Sequence, residues 1–203
     1  MAVEPYLQPQ GPEPEGEYIA SNESMLHLSG VTACIMCGAC VSDCTVLEVD
    51  KNFLGPAALA KAYRFVADPR DGAVSERLTD YQKPGGVWDC TRCMQCVEVC
   101  PKDVDPMGRI MSLRDKTMDA GYTGTYGARH ATAFSELVKK NGRLDELRLP
   151  IKTFGLFNLK EMLKLLPIGL KAQRVGKRPP IFHKAIPGVR NIRRIFEKLE
   201  SKK

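Results

Sequence analysis

The sequence predicts an all-α chain, and three observations support this prediction. Several segments carry apolar residues at helical spacing, and helix-capping residues mark where these segments begin and end. No segment alternates apolar and polar residues for long enough to predict a strand. Two runs of four cysteines divide the chain, and the predicted helices lie between them and after them.

The composition predicts three parts. Residues 1–22 are rich in Pro, Gly and Glu and predict an extended acidic arm, which either wraps a partner or is disordered. Residues 23–121 contain both cysteine runs and form the predicted helical domain. Residues 122–203 form a predicted basic helical C-terminal extension.

Two helices are predicted between the cysteine runs. The first covers residues 53–68, with Pro56 in its first turn, and its buried stripe consists of Leu59, Ala62, Tyr63 and Val66. A short helix is predicted over residues 73–81, and the Pro-Gly-Gly sequence at 84–86 breaks the chain before the second run.

Four further helices are predicted after the second run. One begins at the Asp105-Pro106 pair and ends near residue 120, where Gly121 is a typical C-terminal glycine. The others cover residues 126–140, ended by Asn-Gly, residues 159–166, ended by a proline, and residues 189–199.

Charge is distributed unevenly along the chain. Residues 1–147 contain 21 acidic and 15 basic side chains, whereas residues 148–203 contain 15 basic and 3 acidic ones. A tail this basic could bind an acidic partner subunit, an anionic membrane surface or nucleic acid, and a solvated basic surface is the alternative. Nucleic acid is the least favoured, because no aromatic stacking platform accompanies the charges, and we expect none to be bound. We expect the tail to dock on a partner through the apolar face Ile192, Ile195, Phe196 and Leu199.

The N-terminus does not resemble a secretory signal, because residues 1–24 contain five Glu, no Lys or Arg and no apolar core segment. The uncharged segment 24–42 holds too many polar residues to cross a bilayer. We therefore expect a cytoplasmic protein whose thiols stay reduced, associated with a membrane at most peripherally, through its partners.

The eight cysteines form two runs with one spacing, C-x2-C-x2-C-x3-C. The first run consists of Cys34, Cys37, Cys40 and Cys44, and the second consists of Cys90, Cys93, Cys96 and Cys100 followed by Pro101. This is the spacing of bacterial ferredoxins with two [4Fe–4S] clusters, in which the fourth cysteine of each run ligates the other cluster. We therefore predict two [4Fe–4S] clusters with crossed ligands. The first has Cys34, Cys37, Cys40 and Cys100, and the second has Cys44, Cys90, Cys93 and Cys96.

Other interpretations of the cysteines are weaker. Structural zinc usually takes its ligands from two separated pairs, and disulfides are disfavoured in a reducing compartment. No nucleophile with an adjacent base and no phosphate-binding loop is present, so we predict no catalytic residue. The three histidines, His27, His130 and His183, are isolated, and Trp88 either shields a cluster or is an ordinary core residue.

With these motifs in place, the chain resembles two related groups of proteins with an α-helical two-cluster ferredoxin domain. One is the small two-cluster subunit of heterodisulfide reductases and of the heterodisulfide-reductase-like complexes of sulfur oxidisers. The other is the C-terminal half of the iron–sulfur subunit of succinate dehydrogenases and fumarate reductases. The second resemblance extends to the residues between the cysteine runs, namely segments 53–57, 62–64, 68–71 and 76–78.

Two features favour the resemblance to the heterodisulfide reductase group. The dehydrogenase subunits carry an N-terminal [2Fe–2S] domain, where this chain has only a short acidic arm. They also commonly lack the second cysteine of the second run and hold a [3Fe–4S] cluster, whereas this chain has Cys93. One departure concerns both groups, since Thr45 follows Cys44 where a proline is common, and we expect a local change in the turn without loss of the ligand.

The resemblance to the heterodisulfide reductase group implies an electron-relay subunit without bond-making chemistry of its own. Its partners would be a flavoprotein subunit and a cysteine-rich subunit that acts on a disulfide. The alternative is a relay to or from quinone in a succinate dehydrogenase or fumarate reductase complex. A free soluble ferredoxin is a third interpretation, which the basic tail of residues 148–203 disfavours.

Overall fold

The computed structural model describes residues 2–177, 180 and 183–201. It divides into two compact units, Met1–Thr123 and Gly124–Lys203. In the described ranges the regular structure is helical and contains no strand, which confirms the predicted all-α class. None of the helices described is long and apolar enough to cross a membrane.

The first unit contains both cysteine runs. Its helices in the described residues are α1 (Asn22–Thr32), α2 (Ala39–Ser42), α3 (Thr45–Val49), α4 (Pro56–Val66), α5 (Val74–Tyr81), α6 (Gln95–Glu98) and α7 (Pro106–Asp119), with a 3₁₀ helix at Val87–Asp89 between α5 and α6. Helix α1 was not predicted, because its buried side chains are only Leu28 and Val31 and form a weak apolar stripe. It begins at Ser21, whose hydroxyl accepts a hydrogen bond from the backbone of Ser24 at 3.2 Å.

The core of this unit lies between α4 and α7, which make the most extensive helix contact. The predicted stripe of α4 is buried at all four positions, and α7 contributes Ile110 and Leu113, which are fully buried. Burying side chains of this size stabilises the fold by about 1.5–3 kcal/mol each. The capping predicted for α7 is also present, since the Asp105 carboxylate accepts a hydrogen bond from the Gly108 N–H at 3.0 Å. Helix α7 is therefore a firmly placed element directly after the second cysteine run.

The start of the acidic arm is attached to its own unit by backbone hydrogen bonds to a buried ion pair. Arg77 of α5 donates to the Asp71 carboxylate at 2.9 Å, and both side chains are almost fully buried. The same guanidinium donates to the carbonyl oxygens of Glu4 and Tyr6, at 3.0 and 2.7 Å. The Gln8 N–H donates to the Asp71 carboxylate at 2.9 Å, and the Gln8 carbonyl oxygen accepts from the Gly72 N–H at 2.6 Å. Residues 4–10 thus lie along the segment between the cysteine runs.

The second unit contains, in its described residues, α8 (Tyr126–Asn141), α9 (Arg148–Phe154), α10 (Leu159–Arg174) and α11 (Val189–Glu200). Helices α9 and α11 pack on α8, and α10 contacts α9. The predicted end of α10 at residue 166 is wrong, because the helix continues through Pro167 to Arg174. A proline inside a helix removes one donor. No residue of α10 is buried, so the carbonyl group that loses its partner remains close to water.

The Arg77–Asp71 pair generates a stability prediction. Replacing one partner of a buried pair leaves the other charge without compensation, which typically costs about 3–5 kcal/mol. We expect Arg77→Ala to lower the free energy of unfolding by about this amount, as measured by urea denaturation followed by far-UV circular dichroism. Limited proteolysis should also cut residues 4–10 faster in this variant.

The matched control is Lys83→Ala. Lys83 pairs with Asp80 just after the same helix, and both side chains are more than half exposed. Exposed pairs contribute little, so this variant should unfold like the parent chain. Equal stability of the Arg77 and Lys83 variants would contradict the anchoring role of Arg77.

Candidate iron–sulfur site

The two cysteine runs share one backbone geometry. In the first run the second cysteine, Cys37, lies between Met36 and Gly38, which have φ angles of 55° and 80°. In the second run Cys93 lies between Arg92 and Met94, with φ angles of 59° and 70°. A left-handed conformation costs a non-glycine residue roughly 1 kcal/mol or more, and it persists where the surroundings require it. Each run therefore curls around its second cysteine in the same way.

One cavity collects the first three cysteines of the first run together with the last cysteine of the second run. Cys34, Cys37, Cys40 and Cys100 all line it. The rest of its wall is mostly apolar and consists of Ile35, Met36, Gly38, Ala39, Ala57, Ala60, Pro101, Lys102, Val104 and Pro106.

A second cavity has the complementary composition. It is lined by Cys90, Cys93 and Cys96 of the second run and by Cys44 of the first. Its other walls are Val46, Phe53, Pro56, Thr91, Met94, Met107 and Ile110. The structure thus brings all eight predicted cysteines into two groups of four, and each group takes its fourth cysteine from the other run.

The two groups are neighbours. Cys40 lies on the one-turn helix α2 and Cys96 on the one-turn helix α6, and these two helices pack against each other. The pKa of the Cys96 thiol is raised to about 11, mainly by burial, then by Cys90 and Cys93 and then by Cys40 of the other group. Burial also raises the pKa of Cys40, with further contributions from Cys34, Cys100 and Cys37. The neutral form of these two thiols is thus favoured until a positively charged group compensates the thiolates.

Cys93 differs from Cys40 and Cys96 because hydrogen bonds to its sulfur outweigh the effect of burial on its pKa. The Thr45 hydroxyl donates to its Sγ atom at 3.5 Å, and the thiol also accepts a hydrogen bond from the Gln95 backbone. Together these bonds lower the pKa of the Cys93 thiol, with the Thr45 bond contributing most. A proline after Cys44 would provide no such donor, so the sequence departure at Thr45 has a structural consequence. In the other group, the Val104 N–H donates to the Cys100 Sγ atom at 3.4 Å.

Arg114 of α7 holds the chain at the start of the second run. Its guanidinium is buried and donates to the carbonyl oxygens of Val87, Trp88 and Cys90 at 2.8, 3.1 and 2.7 Å. It also lies over the Trp88 ring, 5.3 Å from the centroid, and burial lowers its pKa. Three carbonyl acceptors offset the cost of burying this charge.

Arg114 was not predicted as a functional residue, although a signal was present in the sequence. The residue lies within the buried stripe of α7, three to four positions from Ile110 and Thr117 and next to Leu113. A charged side chain on an apolar stripe indicates a buried polar partner.

Trp88 does not line either cavity and packs against the hydrophobic core, so the structure favours the core interpretation of this residue.

The donor sets fit iron–sulfur clusters. Each cavity presents four cysteine thiols from an apolar wall, which is the ligand set of a [4Fe–4S] cluster. In the part of the chain that the structure describes, no three His, Cys, Asp or Glu side chains converge as ligands of a single metal ion. None of the three histidines lines either cavity.

Comparisons with known proteins agree with this geometry. Residues 30–104 match the 4Fe-4S dicluster domain family. The chain is 36% identical over 119 residues to the succinate dehydrogenase iron–sulfur subunit of Paracoccus denitrificans, covering 58% of this chain and 46% of that protein. It is 37% identical over 124 residues to the corresponding protein of Coxiella burnetii, covering 60% and 52%.

A third relative is the 8-methylmenaquinol:fumarate reductase iron–sulfur subunit of Wolinella succinogenes. It is 31% identical over 153 residues, covering 73% of this chain and 46% of the relative. The chain thus spans about half the length of the curated relatives it matches. Over residues 30–104 the chain is thus similar to 4Fe-4S dicluster domains, and the chain is homologous to the iron–sulfur subunits of succinate dehydrogenases and fumarate reductases.

Proposed function

We propose that this chain is the iron–sulfur relay subunit of a complex of the succinate dehydrogenase and fumarate reductase type. It would pass single electrons between a flavoprotein subunit and quinone. The observation that carries the proposal is the pair of neighbouring four-cysteine cavities in a chain homologous to such subunits. From the sequence this function was the alternative, and the relatives favour it over the relay of a heterodisulfide-reductase-like complex.

The ligand assignment that we propose follows the two cavities. Cys34, Cys37, Cys40 and Cys100 would hold one [4Fe–4S] cluster, and Cys44, Cys90, Cys93 and Cys96 the other. When bound, such clusters supply one-electron redox chemistry. The residues of the chain contribute position, access and electrostatics. The packing of α2 on α6 keeps the two cysteine groups adjacent, which a relay between them requires.

The surroundings of each group support a role in tuning the reduction potential. Apolar walls such as Ala57, Ala60 and Ile110 limit the access of water, and hydrogen bonds to cysteine sulfurs stabilise the reduced, more negative form. The Thr45 hydroxyl and the Val104 N–H are donors of this kind, one for each group. Arg114 acts further out, by fixing the backbone that leads into Cys90.

A second candidate function rests on Cys93. The dehydrogenase subunits that the chain resembles commonly lack a cysteine at this position, and Cys93 completes the donor set of the second cavity. This feature favours a relay in a heterodisulfide-reductase-like complex, whose further partner would be a cysteine-rich subunit that acts on a disulfide. The curated relatives provide no support for that partner.

Affinity purification of the tagged chain from its native cell distinguishes the two candidates. We expect a flavoprotein and a membrane-anchor subunit to co-purify, and the complex to transfer electrons between succinate or fumarate and a quinone. Mass spectrometry identifies the subunits, and a quinone-coupled assay measures the activity. Recovery of a cysteine-rich disulfide-active subunit, without either succinate or fumarate activity, would contradict the primary proposal.

The crossed assignment predicts that a single substitution affects the cluster of the opposite run. The parent chain, purified without oxygen, should contain about eight irons and show two interacting [4Fe–4S]⁺ signals in its EPR spectrum after full reduction. Cys100→Ser should damage the cluster held by Cys34, Cys37 and Cys40. Cys44→Ser, its matched counterpart, should damage the one held by Cys90, Cys93 and Cys96.

To identify which cluster survives, Cys100→Ser and Cys44→Ser are each combined with a second substitution. The second substitution is Cys37→Ser in the first run or Cys93→Ser in the second run. If Cys100 and Cys37 serve one cluster, the double variant retains the same surviving signal as Cys100→Ser alone. Loss of both signals in that double variant would refute the crossed topology. A zinc content of the parent chain that matches its thiols would instead refute the iron–sulfur assignment itself.

The Thr45 hydrogen bond predicts a change in reduction potential. A hydrogen bond that favours the reduced form by about 1 kcal/mol raises a one-electron potential by about 40 mV. Thr45→Val keeps the shape of the side chain and removes the donor, so one of the two potentials should fall by about this amount. Thr45→Ser keeps the donor and is the control. Redox titration followed by EPR measures both, and an unchanged potential in the valine variant would exclude this role for Thr45.

A further inference from the structure

Helix α10 presents an uncovered apolar face. Four leucines recur at spacings of four, three and four residues, which places them on one side of a helix. All four are largely exposed, with exposed fractions of 71% for Leu159, 64% for Leu163, 55% for Leu166 and 48% for Leu170. The half-buried side of the helix carries other residues, among them Met162 and Leu165. The leucine face is thus additional to the face that contacts the rest of the unit.

Two further exposed apolar residues lie just before the start of the helix. Leu156 and Phe157 directly precede the helix, and the Phe157 side chain is 93% exposed. Isolated exposed apolar residues are normal on protein surfaces, but a contiguous apolar strip of this length indicates a binding surface. At 1.5 Å per residue the 16-residue helix is about 24 Å long, and its leucines are distributed over most of that length.

A row of lysines borders the leucine face. Lys160, Lys164 and Lys171 lie together on the adjoining side of α10, as their spacing of four and seven residues requires. The helix contains one acidic residue, Glu161, which is only 21% exposed and pairs with Lys164 at 2.7 Å. The exposed surface of α10 is therefore leucine-rich on one side and positively charged beside it.

This combination matches a lipid surface better than a protein partner. Cores of protein interfaces are depleted in lysine, and their strongest contacts come mainly from Trp, Tyr and Arg. Helices that lie in a membrane interface instead combine a Leu and Phe face with Lys-rich flanks. The long lysine stems can extend along apolar surface while their ammonium groups reach anionic headgroups.

Helix α11, for which the sequence predicted docking on a partner, is different. Ile192 and Phe196 are half-buried, with Phe196 under the Lys139 ammonium group. Arg193 donates to the Lys140 carbonyl oxygen and Lys139 pairs with Glu200, so α11 is already attached to α8. Only Ile195 and Leu199 of its predicted docking face remain exposed. The larger uncovered apolar surface of this unit belongs to α10.

We propose that α10, together with Leu156 and Phe157, is a membrane-surface helix that binds directly to bilayers containing anionic lipid. The leucine face enters the boundary between headgroups and acyl chains, and the lysine row contacts the headgroups. This binding needs no partner subunit and is independent of the clusters.

Vesicle sedimentation with the purified, cluster-containing full chain tests the proposal. The probes are vesicles of phosphatidylcholine with one third phosphatidylglycerol, and vesicles of phosphatidylcholine alone. We expect the chain to sediment with the anionic vesicles and much less with the neutral ones. The double variant Leu163→Glu, Leu166→Glu should bind at least about tenfold more weakly, because it places charge in the apolar face. The double variant Lys160→Gln, Lys171→Gln should bind anionic vesicles more weakly and lose most of the salt dependence.

The matched control is Ile19→Glu, Leu26→Glu. These two residues are also strongly exposed, at 89% and 72%, but they belong to the first unit. This variant has the same charge change and should bind like the parent chain. Iron content and far-UV circular dichroism establish that all variants are folded and loaded.

Four outcomes would overturn the proposal. The first is no sedimentation of the parent chain with anionic vesicles, and the second is equal binding of the parent and the leucine variant. The third is that the parent chain does not bind vesicles but forms a dimer, measured by light scattering, and that the leucine variant is monomeric. This face would then be an interface between two copies of the chain. If the chain bound vesicles only after addition of a purified partner subunit, the face would belong to a protein interface and the proposal would also fail.

Discussion

Cys100 lies in the cavity of the first cysteine run, and Cys44 lies in the cavity of the second. This crossed placement of the two cysteines constrains the rest of the first unit. The chain must leave the first run, form α4 and α5, and bring the second run back beside the first. The packing of α4 on α7 provides the return, since α7 follows the second run directly and α4 precedes it. The arginine bonds from α7 to the backbone before Cys90 fix the entry of the second run at the same time.

Local backbone strain accompanies the crossed placement of Cys44 and Cys100. The same left-handed positions flank Cys37 and Cys93, although the residues that occupy them differ, with glycine at 38 and methionine at 94. A glycine can adopt this conformation without cost, whereas Met94 and Arg92 are held in it by the surroundings. The second cysteine of each run is exposed, whereas the third lies on a one-turn helix and is partly buried at Cys40 and buried at Cys96. The geometry therefore follows from the placement of the cysteines around each cavity more than from local sequence preference.

The sequence predicted those parts of the structure that depend on periodicity and on spacing. The buried stripe of α4 and the cap of α7 follow from patterns a few residues long. The crossed assignment of the cysteines to two clusters came from the ferredoxin spacing and stays a prediction. The sequence could not predict contacts between distant residues, such as the Arg77 anchor of the arm or the three carbonyl acceptors of Arg114, because these depend on the fold. The sequence also predicted that α10 ends before Pro167. Proline usually ends a helix, but this helix continues because the carbonyl group that loses its hydrogen bond is accessible to water. At Thr45 a departure from a common proline was visible, but its thiol partner became apparent only in three dimensions.

The interleaved cavities also have a consequence for biosynthesis. The first three cysteines of the first cavity leave the ribosome well before Cys100, which is 66 positions downstream of Cys34. At translation rates of about 5–20 residues per second, that interval lasts roughly 3–13 seconds. During this time the early thiols have no fourth partner and are open to oxidation or to capture by other metal ions. Neither cavity has its four thiols until the second run has emerged, so the nascent chain passes through a defined period of chemical vulnerability.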